Sequence, residues 1–94
     1  MNNHNYFLII PSYIWRNPNL NTTQILLYGH LFSNIDTEGA CILNYETLAL
    51  MTNESVKRVE FSLKGLENEG LITIKPNKIL ILTTPGHEIF DLSK

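Results

Sequence analysis

Residues 44–70 constrain the fold most, because their sequence predicts two helices joined by a two-residue turn. Asn44 is suited to cap a short helix over residues 45–51, and the polar pair Thr52 and Asn53 predicts the turn. A longer helix is expected from about residue 55 to residue 69, and Gly70 can end it in a left-handed conformation. Its apolar side chains recur at intervals of three, four and three positions, at Val56, Val59, Leu63 and Leu66. This spacing predicts one buried stripe.

A β-hairpin is predicted directly after these helices. Residues 71–75 and 79–83 are rich in strand-favouring side chains, and the turn-forming tripeptide at residues 76–78 separates them. Residues 41–43 predict a short strand able to pair with the hairpin. Two helices joined by a tight turn and followed by a hairpin form the winged helix-turn-helix arrangement. We therefore predict an α+β fold with three main helices, a short strand before the second helix and a C-terminal hairpin wing.

The N-terminal half predicts the first full helix. Residues 6–10 favour a strand or extended arm that ends at Pro11, and the prolines of residues 11–19 leave room for at most one helical turn. Residues 22–35 have helical spacing, with Asn21 or Thr22 as the N-cap. The apolar face of this helix comprises Ile25, Leu27, Tyr28, Leu31, Phe32 and Ile35. Near the C-terminus, residues 87–93 predict a last helical turn that packs on the core or on a second subunit.

Length and composition predict a single domain over residues 1–94, since 44% apolar side chains are enough for one core. We divide it into an arm at 1–20, a helical core at 21–70 that contains the helix-turn-helix at 44–70, a wing at 71–84 and a helical turn at 85–94. Cys41 is the one cysteine, which suits a protein of a reducing environment. We expect it to be a small buried residue. The longest apolar clusters are the length of strands. We therefore expect a cytoplasmic protein, neither secreted nor membrane-spanning.

The charge is segregated along the chain. The net charge is −2, yet five of the seven Lys and Arg residues lie between positions 57 and 78. A local patch of cations attracts phosphates, while acids elsewhere limit non-specific binding. An anionic partner is therefore expected at the helix of residues 55–69 and at the hairpin.

These segments carry a family resemblance. Residues 48–72, LALMTNESVKRVEFSLKGLENEGLI, resemble the helix-turn-helix core of bacterial winged-helix DNA-binding proteins. Residues 7–49 resemble more narrowly the N-terminal domains of plasmid and phage replication initiators, or replisome organisers, of Gram-positive bacteria. That second resemblance rests on the Ile-Pro pair at 10–11, the Asn-Leu pair at 19–20 and the LLYG sequence at 26–29. It implies sequence-specific binding of double-stranded DNA in replication initiation.

The candidate DNA-binding residues lie at the start of the helix of residues 55–69, along it and at the hairpin tip: Asn53, Ser55, Lys57, Arg58, Lys64, Lys75, Asn77 and Lys78. The N-terminal half of a recognition helix meets base edges in the major groove, where Arg58 suits guanine and Asn53 suits adenine. Ser55 and Lys57 suit phosphate or either base. The three hairpin residues suit a minor groove or its phosphates.

Structural interpretations of the same residues are open. Asn53 and Ser55 are also typical helix caps. The cations of the helix also suit a solvated face paired with glutamates, although a pair such as Glu60 and Lys64 contributes only about 0.3 kcal/mol. The hairpin lysines also suit a protected sheet edge.

Three aromatic residues have alternative interpretations. Phe61 falls off the predicted apolar stripe, and we expect it to flank the core, with contact to a thymine methyl group or to another subunit as alternatives. Tyr13 and Trp15 are expected to pack the N-terminal segment on the first full helix, with a dimer contact as the alternative.

The sequence offers no support for catalysis, because nucleotide-binding and zinc-protease motifs are absent. His4, His30 and His87 are scattered without the spacing of metal ligands, and we expect His30 to be a partly buried helical residue. We predict no enzyme activity, no cofactor and no metal.

Three functional hypotheses follow. The first is a replication initiator domain that binds origin sites as a homodimer or cooperatively on adjacent sites, together with other replication proteins and without a membrane. Pairing is expected through the N-terminal arm and first helix, or through residues 86–92. The second is a small transcriptional repressor or a plasmid-partition centromere-binding protein. The third is a winged helix used as a protein-interaction module.

Overall fold

The computed structural model describes residues 8–42 and 44–81 as four helices and three short strands. Their order is α1 (Ser12–Trp15), α2 (Thr22–Phe32), β1 (Ala40–Cys41), α3 (Tyr45–Thr52), α4 (Val56–Asn68), β2 (Ile72–Ile74) and β3 (Ile79–Ile81). The fold is therefore α+β, with the predicted pair of helices α3 and α4 followed by a hairpin. The terminal helical turn predicted at residues 85–94 lies outside the described residues, as do Leu43 and residues 82–83 of the predicted strands.

The sheet is antiparallel with the order β1, β3, β2, so the last strand lies between the other two. Ala40 is opposite Leu80, and Thr73 is opposite the same residue from the other side. The predicted pairing of the short strand with the hairpin is confirmed. Residues 8–10 belong to no strand, so of the two expectations for residues 6–10, a strand or an extended arm, the strand is wrong for the three residues that are described.

Side-chain caps start the three longer helices. Asn21 Oδ1 accepts a hydrogen bond from the Gln24 backbone N–H at 2.8 Å, and Gln24 Oε1 accepts one from the Asn21 N–H at 2.9 Å. Asn44 Oδ1 accepts from Thr47 N at 2.7 Å, and Ser55 Oγ accepts from Arg58 N at 3.1 Å. These bonds satisfy N–H groups that a helix leaves without internal partners, which fixes where each helix begins.

The core lies between α2, α3, α4 and the sheet. Leu27, Tyr28, Leu31, Leu48 and Leu63 are fully buried in it. Cys41, as predicted, is buried too. His30 is buried more completely than expected, at 5% exposure, and burial lowers its pKa below the usual value.

Two of the three motifs of the initiator resemblance, the Ile-Pro pair and the LLYG sequence, contact each other. A β-carbon at Gly29 would lie 2.8 Å from Ile10 Cγ1, which is too close for any real side chain. Glycine in the LLYG sequence therefore leaves the space that the Ile-Pro segment occupies against α2. Tyr13 reinforces the same contact, because its hydroxyl lies 3.0 Å from the Tyr28 hydroxyl and the two rings meet edge to face.

Three apolar side chains depart from their predicted places. Val56 starts the predicted buried stripe but is 37% exposed, because it lies in the first turn of α4 between two surface grooves. Trp15 is 54% exposed with the Arg16 guanidinium 5.3 Å from its ring, so only Tyr13 fulfils the predicted packing of the pair. Phe61 is 78% exposed rather than at the edge of the core.

Within the part of the chain that the structure describes, every helix is too short or too polar to cross a bilayer.

Candidate nucleic-acid interface

Helix α4 presents two opposite faces. Its inner face carries Val59, Ser62, Leu63 and Leu66, which are all buried. Its outer face carries exposed residues at intervals of four, three and four positions, Lys57, Phe61, Lys64 and Asn68, and these four are called the outer stripe below. Residues at such intervals lie on one side of a helix. The outer stripe therefore projects from the protein directly opposite the core.

The turn before α4 is shaped by Asn53 and Ser55. Asn53 ends α3 in the left-handed region, at φ 57°, which asparagine tolerates better than most residues. Ser55 caps α4 through its hydroxyl. The capping interpretation is thus confirmed for Ser55, whereas Asn53 shapes the turn instead. Both side chains are exposed, so these roles leave the surface of the turn accessible.

Arg58 lies on the side of α4 that faces α2. Its Nε is 3.6 Å from Glu54 Oε1, and Glu54 Oε2 accepts a hydrogen bond from Thr23 Oγ1 at 3.3 Å. Among the described residues this is the one ion pair within 4.0 Å, so the expected pair of Glu60 with Lys64 does not form. The Arg58 side chain is 61% exposed, and such exposed pairs are worth about 0.2–1 kcal/mol. Arg58 can therefore exchange Glu54 for another acceptor at small cost.

The hairpin brings its loop beside the start of α4. A groove of about 510 Å³ lies between them, and its lining includes Val56 and Glu60 from α4 and Lys75, Asn77 and Lys78 from the loop. Lys75 N donates to Lys78 O at 2.8 Å, which closes the loop and leaves the three loop side chains exposed. Loop and helix thus share one groove, to which α4 contributes Val56 and Glu60 rather than its predicted cations.

A carboxylate fixes how the hairpin sits against α4. Glu67 Oε2, near the end of α4, accepts a hydrogen bond from the Ile74 N–H of β2 at 3.0 Å. This bond occupies a donor on the outer edge of the sheet, where an unpaired N–H would otherwise attract another strand. Glu67 therefore holds the strand that leads into the cationic loop.

Acidic side chains share this surface. Glu46 and Glu60 line the groove beside the hairpin, and Glu46 and Glu54 line a second groove at the turn, with Leu50 and Asn53. Burial raises the pKa of Tyr45, and the negative charges of Glu60 and Glu67 raise it further. Glu46 and Tyr45 were not anticipated from the sequence, because their place in the groove depends on how α3 packs against the hairpin.

Lys78 also acts on the turn before β1. Asp36 Oδ1 accepts hydrogen bonds from the Ala40 and Glu38 N–H groups at 3.0 and 2.8 Å, and these bonds lower the pKa of Asp36. The positive charge of Lys78 lowers it further. The loop is therefore close to residues 36–40 as well as to α4.

The eight predicted DNA-binding residues are all exposed but occupy three places. Lys57 and Lys64 lie on the outer stripe, Lys75, Asn77 and Lys78 lie in the loop groove, and Asn53, Ser55 and Arg58 surround the turn. The structure joins the loop to the start of α4 but turns Arg58 toward α2.

Among the described residues, no group of three or more His, Cys, Asp or Glu side chains could hold a metal ion.

Solved structures share this fold. An MDR initiator is 26% identical, with a TM-score of 0.62 over 94% of this chain and 87% of its own. A Rep–DNA complex is 24% identical, with a TM-score of 0.61 over 95% and 85%. The N-terminal domain of a DNA-binding protein is 22% identical, with a TM-score of 0.63 over the same shares. No protein-family model and no curated protein matches the chain.

The fold and these neighbours define the class to which this chain is similar, the DNA-binding domains of replication initiators. The resemblance inferred from residues 7–72 is thereby confirmed.

Proposed function

We propose that the protein is a winged-helix domain that binds double-stranded DNA sequence-specifically in the initiation of plasmid or phage replication. One observation carries the proposal: the outer stripe of α4 and the cationic hairpin loop both project from a fold shared with an MDR initiator and a Rep–DNA complex. A helix that exposes cations opposite its core has the shape and the charge to enter a major groove.

In this proposal α4 is the recognition helix and the hairpin is the wing. Lys57 and Lys64 contact phosphates on either side of the groove, while the start of α4, with Asn53 and Ser55, meets bases or backbone. Arg58 leaves Glu54 to bind guanine through two hydrogen bonds. Lys75, Asn77 and Lys78 follow the neighbouring minor groove or its phosphates.

The carboxylates near this surface suit specific rather than indiscriminate binding. Glu46, Glu54 and Glu60 repel phosphates that approach in the wrong register, because like charges close together are unfavourable. With few cations in each domain, affinity per site is modest. We therefore propose that two domains act together, as a homodimer or cooperatively on adjacent sites, and that the role is binding rather than catalysis.

The test is fluorescence-anisotropy titration of the protein with duplexes tiled across its own gene and flanking DNA, at several salt concentrations. The proposal expects one duplex to bind at least about a thousandfold more tightly than the rest. The logarithm of its affinity should fall with log salt by about 0.9 for each phosphate contacted. Absence of binding by every duplex near physiological salt would refute it.

Variants localise the contact. Lys57→Ala and Lys64→Ala should each reduce the salt slope by about one without loss of fold. Arg16→Ala is the matched control, because it removes the same charge from the residue that follows α1, outside the proposed surface. If Arg16→Ala weakens binding as much as the other two, net charge rather than α4 governs the affinity.

The position of the tightest duplex separates the biological roles. Repeated sites inside the protein's own gene favour replication initiation, and a single site upstream favours transcriptional repression or plasmid partition. A stable fold that binds no duplex but captures an acidic protein favours an interaction module.

A further inference from the structure

Phe61 lies between the two lysines of the outer stripe of α4. It is 78% exposed and does not belong to the hydrophobic core or to the partly buried residues that pack on it. Lys57 lies four positions before it, Arg58 three positions before it and Lys64 three positions after it, and all three are exposed. Positions three or four apart are neighbours on a helix surface. A phenyl ring therefore lies between Lys57 and Lys64 on the face that points away from the protein, with Arg58 at the edge of that face toward α2.

This surrounding distinguishes Phe61 from other exposed apolar residues. Single exposed apolar side chains are normal on protein surfaces and carry no inference by themselves. Leu50 is more exposed, at 84%, but it lines a groove with Glu46 and Glu54. Carboxylates there disfavour a phosphate backbone, whereas the cations around Phe61 favour one. The cations around the ring thus favour a polyanionic partner. The exposed ring favours one that presents an apolar group between its negative charges.

A DNA major groove has that chemistry. Phosphates form its two sides, and the C5-methyl group of thymine is the apolar feature among the base edges. Helical rise places Lys57 and Lys64 about 10 Å apart along α4, with Phe61 between them. When these lysines contact the backbone, the ring is directed at the base edges between the strands.

We propose that Phe61 packs against the C5-methyl group of one thymine and so determines the preference for that base pair. This inference rests on the proposed function and adds to it a specificity-determining residue. Contact removes a methyl group and part of a phenyl ring from water, which is worth about a three- to fivefold change in affinity for one methyl group.

The test replaces each thymine of the tightest duplex, one at a time, with deoxyuridine, which differs only by lacking the methyl group. Wild-type protein should lose about three- to fivefold in affinity at one position and little elsewhere. Phe61→Ala should bind the parent duplex less tightly and no longer distinguish thymine from deoxyuridine at that position. Phe61→Leu should retain part of the discrimination, because an aliphatic side chain still contacts the methyl group.

Leu50→Ala is the control, since it truncates another exposed apolar residue, on the neighbouring helix. It should preserve the wild-type discrimination. An unchanged denaturation midpoint verifies that each variant folds, as expected for side chains outside the core.

The outcomes separate this inference from the proposed function. If the tightest duplex is bound but no deoxyuridine position weakens wild-type binding, Phe61 does not read a methyl group. The same conclusion follows if Phe61→Ala keeps the wild-type ratio, or if it alters self-association instead of base preference. If no duplex is bound at all, the proposed function itself fails.

Discussion

Helices α2 and α4 begin alike and are buried differently. Both start at a polar N-cap, Asn21 in α2 and Ser55 in α4. The second half of α2 is enclosed on all sides, because five consecutive positions from Leu27 to Leu31 are buried. Helix α4 buries one stripe and exposes the opposite one. The comparison indicates that α2 forms the framework, whereas α4 is held by one side so that the other remains available to a partner.

The largest effects should come from the enclosed sides of both helices. Leu27→Ala and Leu63→Ala each remove a fully buried side chain, and each should lower the free energy of unfolding by about 3 kcal/mol. Urea denaturation followed by circular dichroism measures the change. Phe61→Ala should shift it by less than about 0.5 kcal/mol. A comparable loss from Phe61→Ala would contradict the division of α4 into a buried and an available face.

Removal of the link between α4 and the hairpin should have the next largest effect. Glu67→Ala deletes the acceptor for the Ile74 N–H and should lower the free energy of unfolding by about 1–1.5 kcal/mol. It should also increase amide hydrogen exchange at Ile74, measured by NMR. Glu69→Ala is the control, because Glu69 is exposed and has no bond to the hairpin among the described residues. Unchanged exchange at Ile74 would show that packing alone positions β2.

Removal of the N-caps tests whether the two helices differ in function as well as burial. Asn21→Ala and Ser55→Ala should each cost about 1 kcal/mol, because each deletes a side-chain acceptor for the first turn. Only Ser55→Ala should also weaken DNA binding in the anisotropy titration. Ser55→Gly, which costs a few tenths of a kcal/mol, separates the hydroxyl contact from helix stability. Equal losses of DNA affinity at both caps would erase the distinction between α2 and α4.

The smallest effect concerns pH and the enclosed side of α2. Burial lowers the pKa of His30 in the folded state, so the unfolded chain binds more protons there. The contribution of His30 to the free energy of unfolding is fully present above pH 6.5, the pKa of the unfolded state. It is lost as the pH falls from that value toward the lower pKa of the folded state. Unfolding free energies at pH 7.5 and 5.5 should therefore differ more for wild type than for His30→Gln. An identical difference in both proteins would exclude His30 as a contributor.

Local signals predicted most of the fold. The caps Asn21 and Asn44, the end of α4 at Gly70 with its φ of 77° and the hairpin all depend on neighbouring residues, and each is confirmed. Periodicity also identified the inner face of α4 from Val59 to Leu66.

Other features were not predicted correctly. Some of them depend on how far the neighbouring helices and strands cover a side chain, and the spacing of apolar residues in the sequence does not show this. Val56 has the correct phase but lies beyond the cover of α3 and the hairpin. For Phe61 the spacing was itself informative, because it lies two positions from both Val59 and Leu63 and so falls on the side of α4 opposite the core rather than at its edge. The pair of Arg58 with Glu54 is local and agrees with the expected pairing with glutamates, whereas the bond from Thr23 of α2 to the same carboxylate joins residues 31 positions apart.

The central position of β3 has a consequence for synthesis. Both other described strands pair with β3 and not with each other, so neither has a strand partner before residues 79–81 emerge from the ribosome. Helices α2, α3 and α4 precede it and can form from local contacts, because helical hydrogen bonds join residues four apart. A nascent chain that ends just before Ile79 would therefore carry α2, α3 and α4 and none of the paired sheet. The hairpin, and with it the pairing of both outer strands, is therefore completed only when residues 79–81 have been translated.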